Sequence, residues 1–390
     1  MKILMAHNFY KIPGGEDESF KVESKMLRDN GHEVILYERL NSTISGKSGI
    51  KTALQAIWNQ STYTEIKNVI LQNNIEIAHF QNVFPLISPS AYYAAKNAGA
   101  IVVQSLRNYR GICINATMFR NGEICTMCQK QYIPVSGVIN SCYHNSKIAS
   151  SAVASMLAIH KIADPNYKIV DAYIAVSEFV RQQYILAGFP AEKIFVKPNS
   201  LDEDMIAKSD IGHNFLYVGR LSKEKGIETL LKAWKHMPET IKLDVVGAGD
   251  EEKIYMEEYK SHTNINFLGR KTVDEVYKYV SAAAAVIVPS EWYEPFGRIA
   301  TEAFAHGIPV ISSNIGGLSE IIDHRENGIL FKAGDVESLI GALSEFLEND
   351  KNRKIMGLSA KNKYKSLYNR QNNYNQLIAI YNDTRNRNGR

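Results

Sequence analysis

Apolar residues in this chain come in short runs, separated by amphipathic stretches and glycine-bearing turns. Lys2 to Ala6 is such a run and reads as a strand. Gly14-Gly15 follows, then a stretch with Phe20, Val22, Met26 and Leu27 at helical spacing. Gly31-His32 ends it, and Val34 to Tyr37 reads as a second strand. Strand, glycine turn, helix and strand make a βαβ unit. Ile75 to Phe80, Ile101 to Ser105 and Ala172 to Val176 read as further buried strands, with a helix over Ser90 to Asn97. Lys197-Pro198-Asn199-Ser200 punctuates the chain, and the polar stretch from Asp202 to Gly212 suits a connector. A second series then begins. It has strands at Phe215 to Val218, Lys242 to Val246, Val286 to Pro289 and Val310 to Ser312, and helices at Gly226 to Lys235 and Ile299 to His306. The pattern predicts two α/β domains in tandem, and ligands of such sheets sit at the carboxyl ends of the strands. Near the end, Tyr364, Tyr368, Tyr374 and Tyr381 have spacings of 4, 6 and 7. The 4 and the 7 suit one face of a packing helix and the 6 does not. Arg385 to Arg390 is expected to fray.

Composition narrows the picture. Of 390 residues, 45% are hydrophobic and 22% charged, which excludes collagen-like, coiled-coil and wholly disordered chains. Lys plus Arg is 45 against 41 Asp plus Glu, a net charge of +4. That is too balanced for a protein that coats nucleic acid by charge, so no nucleic-acid partner is expected. The excess is local. Between residues 98 and 170 lie Arg107, Arg110, Arg120, Lys130, Lys147, Lys161 and Lys168, against Glu123 and Asp164 alone. Such a face is either a solvated loop surface or one that meets a phosphorylated substrate or an anionic membrane. No run reaches the ~18 apolar residues of a membrane span. The first residues lack the apolar core of a signal peptide. The expectation is a cytoplasmic protein, with peripheral contact at the inner face of the membrane left open, and cysteines that serve as thiols or metal ligands.

The strongest chemical signal is the stretch from Ser290 to Val310. Glu294 and Glu302 stand eight positions apart, and Pro295 suits the start of a helix. The backbone N–H groups of Phe296, Gly297 and Arg298 then point out of a helix start, which binds phosphate oxygens. Carboxylates beside such a site suit recognition of vicinal hydroxyls. By spacing alone, a solvated helix with an acid at each end remains the alternative. In Tyr217-Val-Gly219-Arg220-Leu-Ser-Lys-Glu-Lys225-Gly226, Arg220 and Lys225 follow a strand and precede a helix. Two cations there would neutralise a diphosphate. Gly14-Gly15-Glu16 lacks the dinucleotide fingerprint but lets a phosphate approach the backbone. Gly247-Ala248-Gly249 reads as a tight strand–helix turn.

Together these motifs resemble the GT-B glycosyltransferases, most closely the retaining enzymes of family 4. The resemblance rests on the glycine loop after the first strand, G-R-x-x-x-x-K-G at Gly219–Gly226, the E-x7-E segment, and Gly316-Gly317-Leu-Ser-Glu320. It implies two Rossmann-like α/β domains facing across a cleft, residues 1–198 on the acceptor side and 199–363 binding nucleotide-sugar. A C-terminal helix and tail, 364–390, would return to the first domain. The implied activity is metal-independent transfer of a hexose from a UDP- or GDP-sugar to an acceptor hydroxyl, with retention, in surface polysaccharide synthesis. The implied acceptor is a carbohydrate or is lipid-linked. Arg220 and Lys225 would hold the donor diphosphate and Glu294 the sugar hydroxyls. Phe296 and Gly297 would bind sugar or phosphate through their amides, Glu302 the ribose, and Gly15 would approach the diphosphate. Arg270 would border the base. The alternatives are a non-catalytic nucleotide-sugar-binding subunit and a GT-B-like epimerase.

Three features stand apart from the pattern. Many relatives carry His where this chain has Arg107, in Leu106-Arg107-Asn108-Tyr109-Arg110. A guanidinium there either reads a sugar carboxylate through paired hydrogen bonds, or stands beside a sugar whose sixth carbon makes no polar contact, or turns away to an acid such as Glu16. Cys113, Cys125, Cys128 and Cys142 include one C-x2-C pair. They are either four thiolate ligands of a structural zinc or free thiols. Asp202-Glu203-Asp204 resembles a metal-holding D-x-D, but it falls in the connector, so no catalytic metal is expected.

Overall fold

The computed structural model of the protein describes residues 1–44, 49–199, 201, 212–348 and 350–389. The Asp202-Glu203-Asp204 motif and nearly all of the connector lie outside the described residues. The chain forms two compact units. Unit 1 comprises Met1–Met118, Cys125–Ser200 and Asn373–Arg390, and unit 2 comprises Phe119–Ile124 and Leu201–Asn372.

Among the described residues, unit 1 is built on a six-stranded sheet of β1 (Lys2–Phe9), β2 (Glu33–Leu40), β3 (Ile77–Asn82), β4 (Ile101–Leu106), β7 (Ala172–Ala175) and β8 (Ile194–Val196). A short antiparallel hairpin, β5 (Phe119–Arg120) and β6 (Glu123–Ile124), stands apart from it. The order across the sheet is β2-β1-β3-β4-β7-β8, and every ladder is parallel. Strand order therefore reverses between β1 and β3, and the loops after those strands flank the crevice. Helices cover both faces, which is why β3 and β7 are buried at every position and read as continuous rather than alternating runs.

Unit 2 has a second six-stranded sheet of β9 (Asn214–Val218), β10 (Leu243–Val246), β11 (Ile265–Gly269), β12 (Ala283–Val288), β13 (Val310–Ser313) and β14 (Gly328–Phe331). Its order is β11-β10-β9-β12-β13-β14, again wholly parallel. This is the dinucleotide-fold order, with the reversal between β9 and β12. The Ile227–Trp234 helix shows why the core forms where it does. Ile227, Leu230, Leu231 and Trp234 fall on one face at helical spacing and are fully buried. They pack with Phe215, Leu243, Leu343 and Phe346. Burial of each such side chain stabilises the unit by ~1.5–3 kcal/mol.

The tyrosine tail is not one helix. Tyr364–Tyr368 is a π-helical turn, Asn369 is extended, and Arg370–Arg387 is a new helix. The spacing of 6 spans this break. Tyr368 packs on Phe296 in unit 2, whereas Tyr374 and Tyr381 meet His32 and His79 in unit 1. The C-terminal helix thus returns to the first unit. The expected fraying of Arg385 to Arg390 is corrected as far as Arg387. Arg385 pairs with Glu76 and Arg387 donates to the Glu192 carbonyl, which holds the last turn.

A buried ionic cluster ties unit 1 together. Glu23, on the Gly15–Asp29 helix, takes Lys197 Nζ at 2.8 Å and Arg107 at 3.4 Å. Gln81 donates to its other oxygen. Lys197 also donates to Asn373 Oδ1 at 2.8 Å, Asn373 donates to the Pro198 carbonyl at 2.7 Å, and Arg107 donates to Asn199. The chain is therefore pinned at Pro198 and Asn199, close to where it leaves unit 1, and at Asn373, where it re-enters. Burial alone would raise the Glu23 carboxyl. The Lys197 and Arg107 charges more than offset that and hold it at about 2. His79 nearby is pushed down to about 4 by burial, so it is neutral at pH 7. Among the described residues no helix is long and apolar enough to cross a membrane.

Glu23→Gln leaves two cations without their counter-charge and is expected to cost ~3–5 kcal/mol in denaturant unfolding. Because the folded pKa lies below the ordinary 4.5, the ionic stabilisation is complete above that pH and is lost as pH falls toward 2. Wild type should therefore lose stability over that window, and the Gln variant should lose less. Parallel acid profiles would remove Glu23 as the cause.

Candidate functional site

The site in unit 2 lies at the reversal of strand order, where the loops after β9 and β12 are neighbours. Lys225 follows β9 and Glu294 follows β12, and Lys225 Nζ sits 2.7 Å from Glu294 Oε2. The same oxygen accepts Ser290 Oγ at 3.0 Å and Trp292 Nε1 at 2.9 Å. Lys225 also stands 5.0 Å from the centre of the Trp292 ring, a cation–π contact. Three donors thus converge on Oε2. Among the described residues no group bonds Oε1, which is left for a ligand hydroxyl. Burial alone would raise the Glu294 carboxyl, but Lys225, Ser290 and Trp292 reverse this and keep it below the usual range. It is an ionised hydrogen-bond acceptor at neutral pH.

Backbone geometry holds this arrangement. Gly226 has φ of +68°, and a Cβ there would meet the Pro289 carbonyl at 1.7 Å. The loop bearing Lys225 can approach the end of β12 only because that position is glycine. Gly317 N–H donates to the Glu294 carbonyl at 2.7 Å. A Cβ on Gly316 would lie 2.5 Å from the same oxygen. The Gly316-Gly317 pair therefore fixes the backbone of Glu294.

The other candidate residues are spread over both units. Arg220 is 64% exposed and pairs with Glu224 at 2.8 Å, so it is not drawn into the Glu294 cluster. The helix expected from Pro295 starts at Arg298, with Gly297 before it. The Phe296 ring is buried against Tyr368, which leaves only its backbone for a ligand. Glu302 accepts from Arg298 Nε at 2.7 Å, one turn earlier on the same helix. Arg270 directly follows β11 and is exposed. In unit 1, Gly15 opens the helix after β1, where Gly14 N–H donates to Asp17 and Asp17 meets His7 at 2.8 Å.

One expectation is corrected. Arg107 turns away from solvent, but its acid is Glu23, not Glu16. Glu16 instead accepts from Asn108 and Tyr10. Burial against two amides and a carboxylate commits the guanidinium to the fold. Among the described residues no group of three or more His, Cys, Asp or Glu side chains is arranged to hold a metal ion. All four are free thiols, and Cys113 Sγ donates to Asn115. The Cys128 thiol is pushed up to about 11, first by burial and then by the neighbouring Cys113. Ser290 and Trp292 were given no role from the sequence. The chain bends at Trp292, where Glu294 N–H donates to the Trp292 carbonyl at 2.7 Å, and this turn lets the Ser290 and Trp292 side chains reach the Glu294 carboxylate.

Residues 205–363 match the family of glycosyl transferases group 1. An uncharacterized protein of the cps region of Klebsiella pneumoniae is 24% identical over 356 residues, 82% of this chain and 87% of that one. An uncharacterized glycosyltransferase of Methanocaldococcus jannaschii is 25% identical over 371 residues, 93% and 92% of the two chains. Anabaena HepE, solved in complex with UDP, superposes with a TM-score of 0.70 at 17% identity, over 98% of this chain and 100% of its own. The chain has the GT-B fold. The similarities support a glycosyltransferase, and the Lys225–Glu294 cluster lies within the matched segment.

If Lys225 is the counter-charge of Glu294, their substitutions do not add. Lys225→Ala leaves a buried carboxylate without its cation, and a second change, Glu294→Gln, removes that carboxylate charge. The double variant should be more stable than the sum of the single losses by ~1–3 kcal/mol in a denaturant cycle. Additive losses would show that the two groups are independent.

Proposed function

We propose that the protein is a retaining glycosyltransferase that moves a hexose from a UDP- or GDP-sugar to an acceptor hydroxyl. The observation that carries this reading is the Lys225–Glu294 pair at the strand-order reversal of unit 2, with Oε1 of Glu294 open to a hydroxyl. A lysine beside a helix start suits a diphosphate, and an ionised, oriented carboxylate suits the sugar hydroxyls. Arg220, exposed on the same loop, reaches toward solvent, where a diphosphate would enter. Glu302 and Arg270 are the positions for the ribose and the base, and the amides of Phe296 and Gly297 for phosphate or sugar. Gly15 is the position in unit 1 for approach to the diphosphate. UDP as the nucleotide draws support from HepE, which is also solved in complex with UDP-glucose.

Glu294, the carboxylate of this cluster, is held by three donors on one oxygen, which suits a hydroxyl acceptor rather than a nucleophile. A front-face reaction fits. The acceptor oxygen attacks the anomeric carbon as the bond to the diphosphate breaks, and the departing phosphate oxygen takes the acceptor proton. Lys225 and Arg220 stabilise the charge that grows on that phosphate, with no divalent metal in the step. A role in bacterial surface polysaccharide synthesis draws support from the cps-region relative. The acceptor is a carbohydrate or is lipid-linked, and the basic segment between residues 98 and 170 meets an anionic membrane from the cytoplasmic side. The binding-subunit alternative rested on Arg107, which the Glu23 cluster now accounts for.

Lys225→Ala and Arg220→Ala should each lower turnover by ~10²-fold or more with the fold retained. Near-normal rates in both would remove the diphosphate assignment. Glu294→Ala should abolish the extra thermal stabilisation that UDP-glucose gives over UDP while UDP still binds. Chelator should leave turnover unchanged, and the product should keep the anomeric configuration of the donor by NMR. An inverted product would overturn the front-face reaction.

A further inference from the structure

Unit 1 contains a cavity of about 190 Å³ that none of the motifs accounts for. Its walls are largely aromatic and aliphatic. Tyr92 and Tyr173 line it with Phe84, Phe189, Met156 and Leu157. The two tyrosines are only 8% and 4% exposed. Among the described residues neither hydroxyl bonds to a protein group. Two phenol donors that face a cavity and are not used by the protein can donate to acceptor oxygens of a guest. Arg110, from the loop after β4, and Lys161, from the Lys147–Ala163 helix, supply positive charge at the lining. Asp164 also lines it, but its carboxylate is engaged by the Lys168 and Ile169 N–H groups.

A second observation concerns the outer face of the Lys147–Ala163 helix. Val153, Ala154 and Met156 pack inward. Ile148, Ile159 and Ile162 are 83%, 46% and 58% exposed. Their spacing, i, i+11 and i+14, puts them on one stripe. This apolar stripe belongs to the helix that carries Leu157, His160 and Lys161 into the cavity wall. A helix with an apolar outer face beside lysines suits the surface of an anionic bilayer.

We propose that this cavity binds a lipid phosphate, the acceptor or its carrier. The phosphate oxygens accept from Tyr92, Tyr173 and Arg110, the first part of the hydrocarbon lies against Leu157, Met156 and Phe189, and the Ile148–Ile162 stripe rests on the bilayer that delivers it. The proposal rests on the glycosyltransferase reading for the word acceptor, but the binding it requires does not. It also adds an apolar contribution to membrane contact, which resists salt where a purely ionic one does not.

The test uses farnesyl phosphate below its micellar concentration, measured by calorimetry on the full chain, with farnesol, inorganic phosphate and maltotriose as controls. Wild type should bind farnesyl phosphate saturably and more tightly than either farnesol or phosphate. Leu157→Trp, which fills the cavity, should weaken it by roughly tenfold or more. Tyr92→Phe with Tyr173→Phe keeps the rings and removes the donors. It should weaken farnesyl phosphate several-fold and leave farnesol unchanged, which keeps the test valid if the Trp variant fails to fold. No saturable binding, equal binding by all variants, or preference for maltotriose would overturn the proposal, the last in favour of a sugar acceptor. UDP stabilisation, read in parallel, separates the two readings. Its loss in wild type would sink the donor site, while normal UDP binding without lipid binding would sink only the cavity assignment.

Discussion

Every ladder in the two six-stranded sheets is parallel. A parallel strand must be followed by a crossover, so all strands of a unit end on the same edge and their loops converge there. The residues that resemble a donor site come from loops far apart in sequence, and it is this constraint that brings Lys225 and Glu294, 69 positions apart, within 2.7 Å. The glycines serve the same end. At Gly226 a side chain would collide with the Pro289 carbonyl, so the loops after β9 and β12 could not close on one another, and at Gly316, after β13, one would collide with the Glu294 backbone.

Each unit then carries one buried carboxylate whose charge is held by a lysine, with different consequences. Among the described residues Glu294 is bonded through one oxygen only, by Lys225, Ser290 and Trp292, all on the loops after β9 and β12. Glu23 has both oxygens engaged, by Lys197 and Arg107 on one side and Gln81 on the other. Its neighbours Pro198 and Asn373 join the two crossings of the chain at the edge of unit 1. A buried ion pair is weak evidence for net stability but strong evidence for a defined geometry when both partners are fully bonded. Here the geometry defined is that of the crossings, which explains why an arginine stands at position 107.

The cavity of unit 1 shows a third use of polar groups. Tyr92 and Tyr173 are tyrosines in a lining where phenylalanine would fill the same space, and among the described residues their hydroxyls bond to no protein group. Together with the apolar outer stripe of the Lys147–Ala163 helix, they give unit 1 a chemistry distinct from the charged site of unit 2. The basic residues noted between positions 98 and 170 divide accordingly. Arg107 joins the Glu23 cluster and also borders the cavity, where Arg110 and Lys161 stand as well.

The sequence by itself determined the α/β class, the tandem organisation and most strands of both sheets, because buried parallel strands are written as short apolar runs that need no long-range information. It also determined the positions of Arg220, Lys225, Glu294 and Glu302, because strand–loop–helix junctions are local. It missed β8, β11 and β14, short strands at the edges of their sheets, and it read the tail as one helix across the extended Asn369. Pairing was beyond it. That Arg107 belongs to Glu23 rather than Glu16, and that Lys225 and Glu294 form a single cluster, were decided only by the tertiary structure. The physical reason is that spacing along a chain fixes which face a residue lies on, whereas the charge or donor it meets there depends on how sheet order and crossovers bring distant loops together.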